Sequence, residues 1–288
     1  MSNGTAHTGK VILAAAGPGD PELVTLKTVR CLQQADVVLA DRLVSEDLLK
    51  QYVKETSEII YVGKQCSRGS STPQQTINEL IVELALQGKM VVRLKGGDVS
   101  VFSNVLDELN VLVSHNIPYE IIPGVTASLG AAAYAGIPLT ARGYSTAVRF
   151  LTYYKSDILP DAYWKELAQT DDTLVFYMSS ETLEGIVYNL VKNNIAADKL
   201  LAVIEQATTP LQNVIISALN EFDEIVKGRK FISPSLVIIG KVVALHEQFK
   251  WLPNSNSRDH YFKPLAKLIH TKPGTGKAEK VKKNVGRA

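Results

Sequence analysis

The sequence predicts an α/β fold that is divided into two α/β domains. Three observations predict it. The chain has 288 residues, 45% of them apolar, which is enough material for two cores. Short apolar runs alternate with stretches of helical period, as in a largely parallel sheet covered by helices. The alternation stops at an Ala- and Gly-rich stretch, residues 127–136, and then starts again.

The first unit is expected over residues 10–140. Its first strand is predicted at residues 11–16, closed by the turn GPGD and followed by a helix at 23–34. The Ala- and Gly-rich stretch after the last strand suits a helix that packs closely against another backbone. The remaining elements are strands at 37–40, 91–94 and 119–122 and a helix at 76–87.

The second unit is expected over residues 141–246, and a basic, flexible tail over residues 247–288. Within that tail, residues 263–288 hold seven Lys and one Arg against a single acid, Glu279. Because Pro and Gly interrupt it and it has no apolar period, a solvated end is favoured over a nucleic-acid or membrane contact. The strands of the second unit are predicted at 147–152, 173–177, 201–204, 214–217 and 235–239, and its helix at 181–193.

The composition disfavours several other classes of protein. No run approaches the roughly 18 apolar residues of a membrane span, and the polar start lacks the apolar stretch of a secretory signal. A soluble cytoplasmic protein is therefore expected. The two cysteines, Cys31 and Cys66, are too few for a disulfide framework or a zinc site, so no metal is expected.

Four glycine-containing turns follow predicted strands or apolar runs, and ligands of open α/β sheets bind beyond the carboxyl ends of the strands. Glycine lets a backbone approach a ligand closely, and Asp98 can accept hydrogen bonds from a hydroxyl or an amino group. Plain turn chemistry also explains any one of these turns. None is a GxGxxG, so a nicotinamide enzyme is disfavoured. The turns are Gly17-Pro18-Gly19-Asp20, Gly63-Lys64, Gly96-Gly97-Asp98 and Pro123-Gly124.

Eight motifs taken in order favour a common ligand site over plain turn chemistry. They are AAAGPGDPELVTLK, ADVVLADRLVS, VGKQ, VVRLKGGD, PGVTAS, AYAGIPLTAR, LVFYMS and SPSLVIIGKVV, spread over residues 10–246. Together they closely resemble the uroporphyrinogen-III C-methyltransferases, which are tetrapyrrole methylases. The resemblance implies that two α/β domains hold S-adenosyl-L-methionine (SAM) in the cleft between them, mostly through backbone groups.

The resemblance also implies which residues contact SAM, and that the protein is a homodimer. The family usually has glycine where Ala207 stands, so the methyl group of Ala207 is expected to narrow the space beside the adenosine. The contacts carried over are Pro18, Gly96, Gly97, Asp98, Val101, Thr126, Ala127, Met178 and Ala207.

For the chemistry, the resemblance implies a proton acceptor at Asp41 and a proton donor at Lys64. Methyl transfer from a sulfonium is a one-step displacement, so the protein must mainly align a nucleophilic carbon with the methyl group. Attack by a pyrrole carbon leaves positive charge, which a carboxylate can relieve by taking a proton. Alternatively, Asp41 could cap a helix beginning near Val44, and Lys64 could be solvated or pair with a substrate carboxylate. Among the arginines, Arg142 is favoured to hold a carboxylate of the tetrapyrrole.

Two departures from the family pattern concern the tetrapyrrole side of the expected cleft. The family continues PxxFGRGGEE after LKGGD, whereas this chain has Val99 in place of the proline and residues 103–106 in place of the glycine-and-arginine turn. Ala141 stands where the family has the histidine of PLTHR. These changes bear on the substrate more than on SAM.

The leading hypothesis is methylation of uroporphyrinogen III at two ring carbons, giving precorrin-2 for sirohaem or cobalamin-type cofactors. One alternative is a methylase of another precorrin, and a more distant one methylates RNA or a protein residue. A third is a SAM-binding protein without catalysis, against which the presence of Asp41 and Lys64 argues.

Overall fold

Two five-stranded sheets with flanking helices make up the computed structural model, which describes residues 8–62, 73–154, 157–222 and 230–262. The first sheet is parallel throughout and has the strand order β3-β2-β4-β1-β5. Its strands are β1 (Lys10–Ala15), β2 (Val37–Ala40), β3 (Glu58–Tyr61), β4 (Met90–Lys95) and β5 (Tyr119–Ile122). Its helices are α1 (Leu26–Leu32), α2 (Glu46–Tyr52), α3 (Gln74–Leu86), α4 (Val105–Ser114) and α5 (Ala127–Tyr134).

The strand β1 lies inside the first sheet, between β4 and β5, and is buried on both faces. Successive side chains of a strand point to opposite faces. Accordingly Val11 and Leu13 join a cluster with Ile77 of α3, whereas Ile12 joins another with Leu48 of α2. Such continuous apolar runs are typical of parallel sheets that helices cover on both sides.

The second sheet has the order β6-β7-β10-β8-β9, and only its β6–β7 pair is parallel. Trp164, Phe176 and Phe222 form part of the core on one face. Its strands are β6 (Val148–Thr152), β7 (Thr173–Tyr177), β8 (Leu200–Glu205), β9 (Asn213–Ala218) and β10 (Ser235–Gly240). Its helices are α6 (Asp161–Gln169) and α7 (Leu183–Lys192).

Helix α5 follows the first sheet but packs against the second. Ala131, Ala132 and Ala135 share a buried cluster with Val175 of β7 and Ile238 of β10. The small side chains let the helix approach the strands closely, as the Ala- and Gly-rich stretch predicted. The end of α5 that joins the two sheets is therefore fixed in place by core packing.

The expected α/β class is confirmed, and the strands predicted at 37–40, 119–122 and 173–177 coincide with β2, β5 and β7. The elements β3, α2, α4 and α6 were not predicted from the sequence. The helix expected from residue 23 begins only at Leu26, because Thr25 Oγ1 accepts a hydrogen bond from Thr28 N and caps α1 there. Within the described ranges no helix is long and apolar enough to cross a membrane.

The packed chain continues past residue 246, where the flexible tail was expected to begin. After a short helix, His246–Phe249, Trp251 Nε1 donates to the Ala133 carbonyl over 2.9 Å. Asn254 then exchanges two hydrogen bonds with the backbone of Val214, at 2.8 and 2.9 Å. The expectation was wrong for residues 247–262, because their polar composition concealed hydrogen bonds to β9 and α5. Residues 263–288 lie outside the described part of the chain.

Candidate functional site

The turns at the carboxyl ends of β1 and β4 are joined directly. Gly17 N donates to Gly97 O over 3.1 Å, and Gly97 N donates to Gly17 O over 2.7 Å. Both residues have positive φ, at 77° and 71°, which glycine adopts without steric cost. A Cβ at Gly96 would come within 2.8 Å of Leu43 Cβ, in the loop after β2. The ends of β1, β2 and β4 therefore form one continuous rim.

Asp98 holds the turn after β4 against the turn after β5. Its Oδ2 accepts from Gly124 N over 2.9 Å, and its Oδ1 accepts from the backbone N and the hydroxyl of Ser100 over 2.8 and 2.5 Å. Burial alone would raise the pKa of Asp98, but the hydrogen bonds from Ser100 and Gly124 outweigh it, so the pKa is lowered. The carboxylate is therefore charged, and its remaining lone pairs can accept from a ligand.

Thr126 and Ala127 begin α5 beside this rim. A Cβ at Gly97 would lie 3.6 Å from Ala127 N, so these two backbone segments are neighbours. Thr126 does not cap the helix with its side chain, because its Oγ1 is hydrogen-bonded to the Tyr177 hydroxyl at 2.8 Å. The same hydroxyl accepts from Ser128 N over 3.1 Å. Tyr177, which ends β7, thus ties the second sheet to the start of α5.

Three non-glycine residues with positive φ follow the strands β7 and β8. They are Met178 at 53°, Gln206 at 48° and Thr208 at 63°. Such residues are uncommon and tend to cluster at functional sites. The Met178 side chain is 52% exposed despite being apolar. Ala207, which lies between Gln206 and Thr208, does not have a positive φ, so its methyl group causes no backbone strain of this kind.

The turn after β8 contacts the GPGD turn of the first sheet. Thr208 Oγ1 accepts from Asp20 N over 3.1 Å, and a Cβ at Gly19 would lie only 2.9 Å from the same oxygen. On the other side, a Cβ at Gly130 of α5 would lie 2.6 Å from Pro18 Cγ. Pro18 and its neighbours are therefore enclosed between α5 and the turn after β8.

In the segment after Asp98, two residues other than glycine have a left-handed backbone conformation. Phe102 and Asn104 have φ of 50° and 53°, and Asn104 is the N-cap residue of α4. The Phe102 ring lies 4.9 Å from that of Tyr177, centroid to centroid. Val99, in place of the family's proline, is buried in the core, and Val101 packs beside the apolar cluster of α5 and β7. Phe102, which the family pattern shares, therefore lies against the junction of the two sheets, and the altered turn follows it directly.

Asp41 lies at the carboxyl end of β2. Its backbone N donates to Leu94 O over 2.9 Å, next to the glycines of the rim, and its Oδ1 accepts from Arg42 N over 3.0 Å. The N-cap residue of α2 is Ser45, whose side chain accepts from Leu48 N. The alternative in which Asp41 caps this helix was therefore wrong.

Of the other two residues expected on the substrate side, the structure describes only Arg142. Lys64 lies outside the described residues; Val62, two positions before it, donates its N–H to Ala40 O over 2.8 Å beside Asp41. Arg142 is exposed, in a tight turn closed by the bridge between Ala141 and Ser145.

A buried charged cluster behind the rim was not predicted. Glu108 of α4 is fully buried and accepts from Arg93 Nε over 3.0 Å and from Lys95 Nζ over 2.8 Å. Burial lowers the pKa of Lys95, the charge of Arg93 lowers it further, and Glu108 opposes both. The spacing of these residues on a strand and a helix contained no local signal of their pairing. Within the described ranges, no group of three or more His, Cys, Asp or Glu residues could hold a metal ion.

A comparison with known families identifies the chain. The sequence profile of the Tetrapyrrole (Corrin/Porphyrin) Methylases matches residues 10–223. The chain belongs to the tetrapyrrole methylases. Membership confirms the expected methyltransferase class, with SAM as the methyl donor.

Relatives of this methylase include the siroheme synthases of two bacteria. That of Vesicomyosocius okutanii is 43% identical over 246 residues, which cover 85% of this chain and 52% of the relative. That of Pseudomonas fluorescens is 44% identical over 250 residues, covering 87% and 53%. The methylase thus spans about half the length of these curated relatives.

Solved structures resemble the methylase over most of its length. A cobalt precorrin-4 methyltransferase has a TM-score of 0.72 at 26% identity and covers 84% of this chain and 98% of its own. The uroporphyrin III C-methyltransferase of Thermus thermophilus has a TM-score of 0.68 at 35% identity, covering 82% and 100%. The latter enzyme has also been solved with S-adenosyl homocysteine (SAH).

The residues at the rim suit SAM. Gly97 and Ala127 present adjacent backbone, and Ser128 Oγ in the same helical turn is buried without a hydrogen-bond partner in the described ranges. An orphaned buried hydroxyl suits a polar ligand, because leaving it unpaired costs free energy. The nearby side chains of Val101 and Met178 offer apolar surface for the uncharged parts of the molecule.

Proposed function

We propose that this methylase transfers methyl groups from SAM to two ring carbons of uroporphyrinogen III and forms precorrin-2. The observation that carries the proposal is the junction of Gly97, Ala127 and Tyr177, which brings the ends of β4 and β7 and the start of α5 together. A relative that this chain covers over its entire length is named for C-methylation of uroporphyrin III.

The proposed SAM site relies on backbone groups more than on side chains. The start of α5 has no side-chain cap, and the Ala127 N–H beside Gly97 suits the carboxylate of an amino acid. Asp98 is charged and held in place, which suits a hydroxyl or amino donor. The proposed contacts are Pro18, Gly96, Gly97, Asp98, Val101, Thr126, Ala127, Met178 and Ala207.

Bound SAM supplies an electrophilic methyl group. The proposed proton acceptor, Asp41, lies at the carboxyl end of β2. The backbone N–H of Asp41 donates to Leu94 O, and Leu43 packs on Gly96, so the loop that begins at Asp41 lies next to the proposed SAM turn. We assign to Asp41 the removal of a proton from the positively charged tetrapyrrole that methyl transfer leaves, and to Lys64 the role of proton donor. Arg142, which is exposed, is assigned to a carboxylate of the tetrapyrrole.

A second candidate is methylation of another precorrin. Its support is the turn at residues 103–106, which replaces a glycine-and-arginine sequence directly after Phe102, whose ring lies against Tyr177. A bulkier, uncharged turn changes what the substrate side of the cleft accepts. The fold is also similar to that of a cobalt precorrin-4 methyltransferase.

The test is turnover by the purified chain with SAM and uroporphyrinogen III under anaerobic conditions. A product heavier by two methyl groups supports the proposal. SAH binding with turnover only on a later precorrin favours the second candidate, and SAH binding without turnover on either substrate rejects both.

The proton acceptor is tested by Asp41→Asn. We expect kcat to fall by about 100-fold, since general bases contribute about that much, while the affinity for SAH stays the same. Asp198→Asn is the matched control, because its carboxylate is 60% exposed at the amino end of β8. An unchanged kcat in Asp41→Asn excludes the assigned role.

We also propose that the methylase is a homodimer and works in the cytoplasm. Leu129, Phe249 and Trp251 leave apolar side chains about half exposed or more beside α5, at 53%, 50% and 61%, which suits a protein contact. Cys31 is a free thiol, which suits a reducing compartment. Light scattering and cell fractionation test the two statements, and a monomer or an extracytoplasmic protein contradicts them.

A further inference from the structure

A strap formed by residues 254–262 crosses from the second sheet to the first. It leaves β9 at Asn254, which is hydrogen-bonded to Val214, and reaches the loop after β2 through Tyr261. We propose that this strap, with Tyr261 as a positioning residue, aligns the SAM side of the site with the proton-acceptor side; the proposal rests on the proposed function.

On the SAM side, the strap holds Gln206. This side chain is fully buried, its Nε2 donates to Asp259 O over 3.0 Å, and its Oε1 accepts from Tyr261 N over 2.7 Å. Gln206 is one of the residues with positive φ and directly precedes Ala207. The strap therefore stabilises a strained turn that belongs to the proposed SAM site.

An ion pair anchors the strap one residue earlier on β8. Glu205 is buried, and its Oε2 accepts from Arg258 Nη1 over 2.9 Å. Its Oε1 accepts from Ile232 N over 2.7 Å. Because the buried carboxylate needs these donors, the strap is held on the second sheet independently of Tyr261.

On the acceptor side, the Tyr261 hydroxyl lies 2.9 Å from Ser45 Oγ and donates to Asp47 Oδ2 over 3.2 Å. Ser45 is the N-cap residue of α2 and closes the loop that begins at Asp41. In that loop, Leu43 packs on Gly96. Moving the hydroxyl therefore shifts the acceptor loop relative to the SAM turn, whereas each sheet keeps its own core.

The two ends of the strap predict a split between turnover and cofactor binding. Tyr261→Phe removes the hydrogen bonds of the hydroxyl to Ser45 and Asp47 but keeps the backbone N–H that binds Gln206. We expect kcat to fall by about fivefold, as for the loss of one net hydrogen bond, with the SAH affinity within about twofold of wild type. Ser45→Ala combined with Tyr261→Phe should lower kcat by less than the product of the two single effects, because the two changes share the Ser45–Tyr261 bond.

A second measurement does not depend on turnover. Hydrogen exchange of the amides in residues 42–49 should be faster in Tyr261→Phe than in wild type, while the amides of β1 exchange equally. Tyr188→Phe is the matched control, because this tyrosine is 67% exposed on α7. If the wild type does not methylate uroporphyrinogen III, the proposed function fails, and the exchange data still decide whether the strap orders the loop.

Two outcomes overturn the proposal. In the first, kcat and the exchange of residues 42–49 are both unchanged in Tyr261→Phe. In the second, kcat, SAH affinity and thermal stability all fall in parallel, which describes a structural role only.

Discussion

Replacing Glu108 by Gln tests whether the buried charged cluster behind the rim supports the fold. The substitution keeps the size of the side chain but leaves the charges of Arg93 and Lys95 without their carboxylate; both are 4% exposed. Breaking a buried ion pair on one side costs about 3–5 kcal/mol of unfolding free energy. Arg93 also donates to the carbonyls of Leu39 and Leu94, so we expect the lower end, about 3 kcal/mol.

Urea unfolding followed by circular dichroism measures this loss, and a melting temperature lower by about 6–12 °C should accompany it. The control is Glu166→Gln, because Glu166 pairs with Arg149 at the surface and is 61% exposed. Its effect should be small, as for exposed ion pairs in general. If the unfolding free energy of Glu108→Gln lies within about 1 kcal/mol of the wild-type value, as it would for an exposed ion pair, the reasoning is refuted.

The variant should also respond differently to pH. The pKa of Lys95 in the folded protein is lowered below its ordinary 10.5 by burial and by Arg93, so the unfolded chain binds more protons between the two values. Stability from this group therefore rises with pH across that window. Without Glu108, which opposes the shift, the window should widen towards lower pH.

Two further predictions concern tyrosines at the site. Tyr177→Phe removes the acceptor of Ser128 N and should weaken SAH binding by about tenfold in calorimetry, as expected for a buried donor left unpaired; unchanged affinity contradicts this. Burial and the hydrogen bond to Asp20 raise the pKa of Tyr134 to about 12, so its stabilising effect is complete below 10.0 and is lost as pH rises towards 12. Absorbance titration should therefore show one late-titrating tyrosine fewer in Tyr134→Phe than in wild type, and a titration unchanged by that substitution contradicts the assignment.

The sequence predicted most of the first sheet because the signals are local. The runs that became β1, β2 and β4 are mostly apolar and almost wholly buried, as is typical of a parallel sheet with both faces covered. It missed β3, whose apolar residues form only a short run before Gly63 and of whose four residues only Ile60 is fully buried. An edge strand of this kind is short and partly polar, so its sequence resembles that of a loop.

The candidate site was predictable in part for the same reason. Gly17 and Gly97 have the positive φ that makes glycine necessary in such turns, and that requirement is visible in the sequence. Asp41 was predicted at the end of β2, yet only the structure excluded it as the cap of α2, because Ser45 occupies that position. Nothing in the spacing marked Tyr177 as the residue that joins the two sheets.

The sequence by itself determined the α/β class, the glycine turns at the strand ends and the family signature, because each depends on residues that are close together in the chain. The tertiary structure alone decided how Glu108 meets two cations, how Tyr177 reaches α5, and how the strap connects Tyr261 to Ser45, 216 positions away. Such contacts depend on where the two sheets bring distant residues, and they are stable because burial makes unpaired polar groups costly. Side chains that appear unremarkable in the sequence thus acquire their partners only in the folded protein.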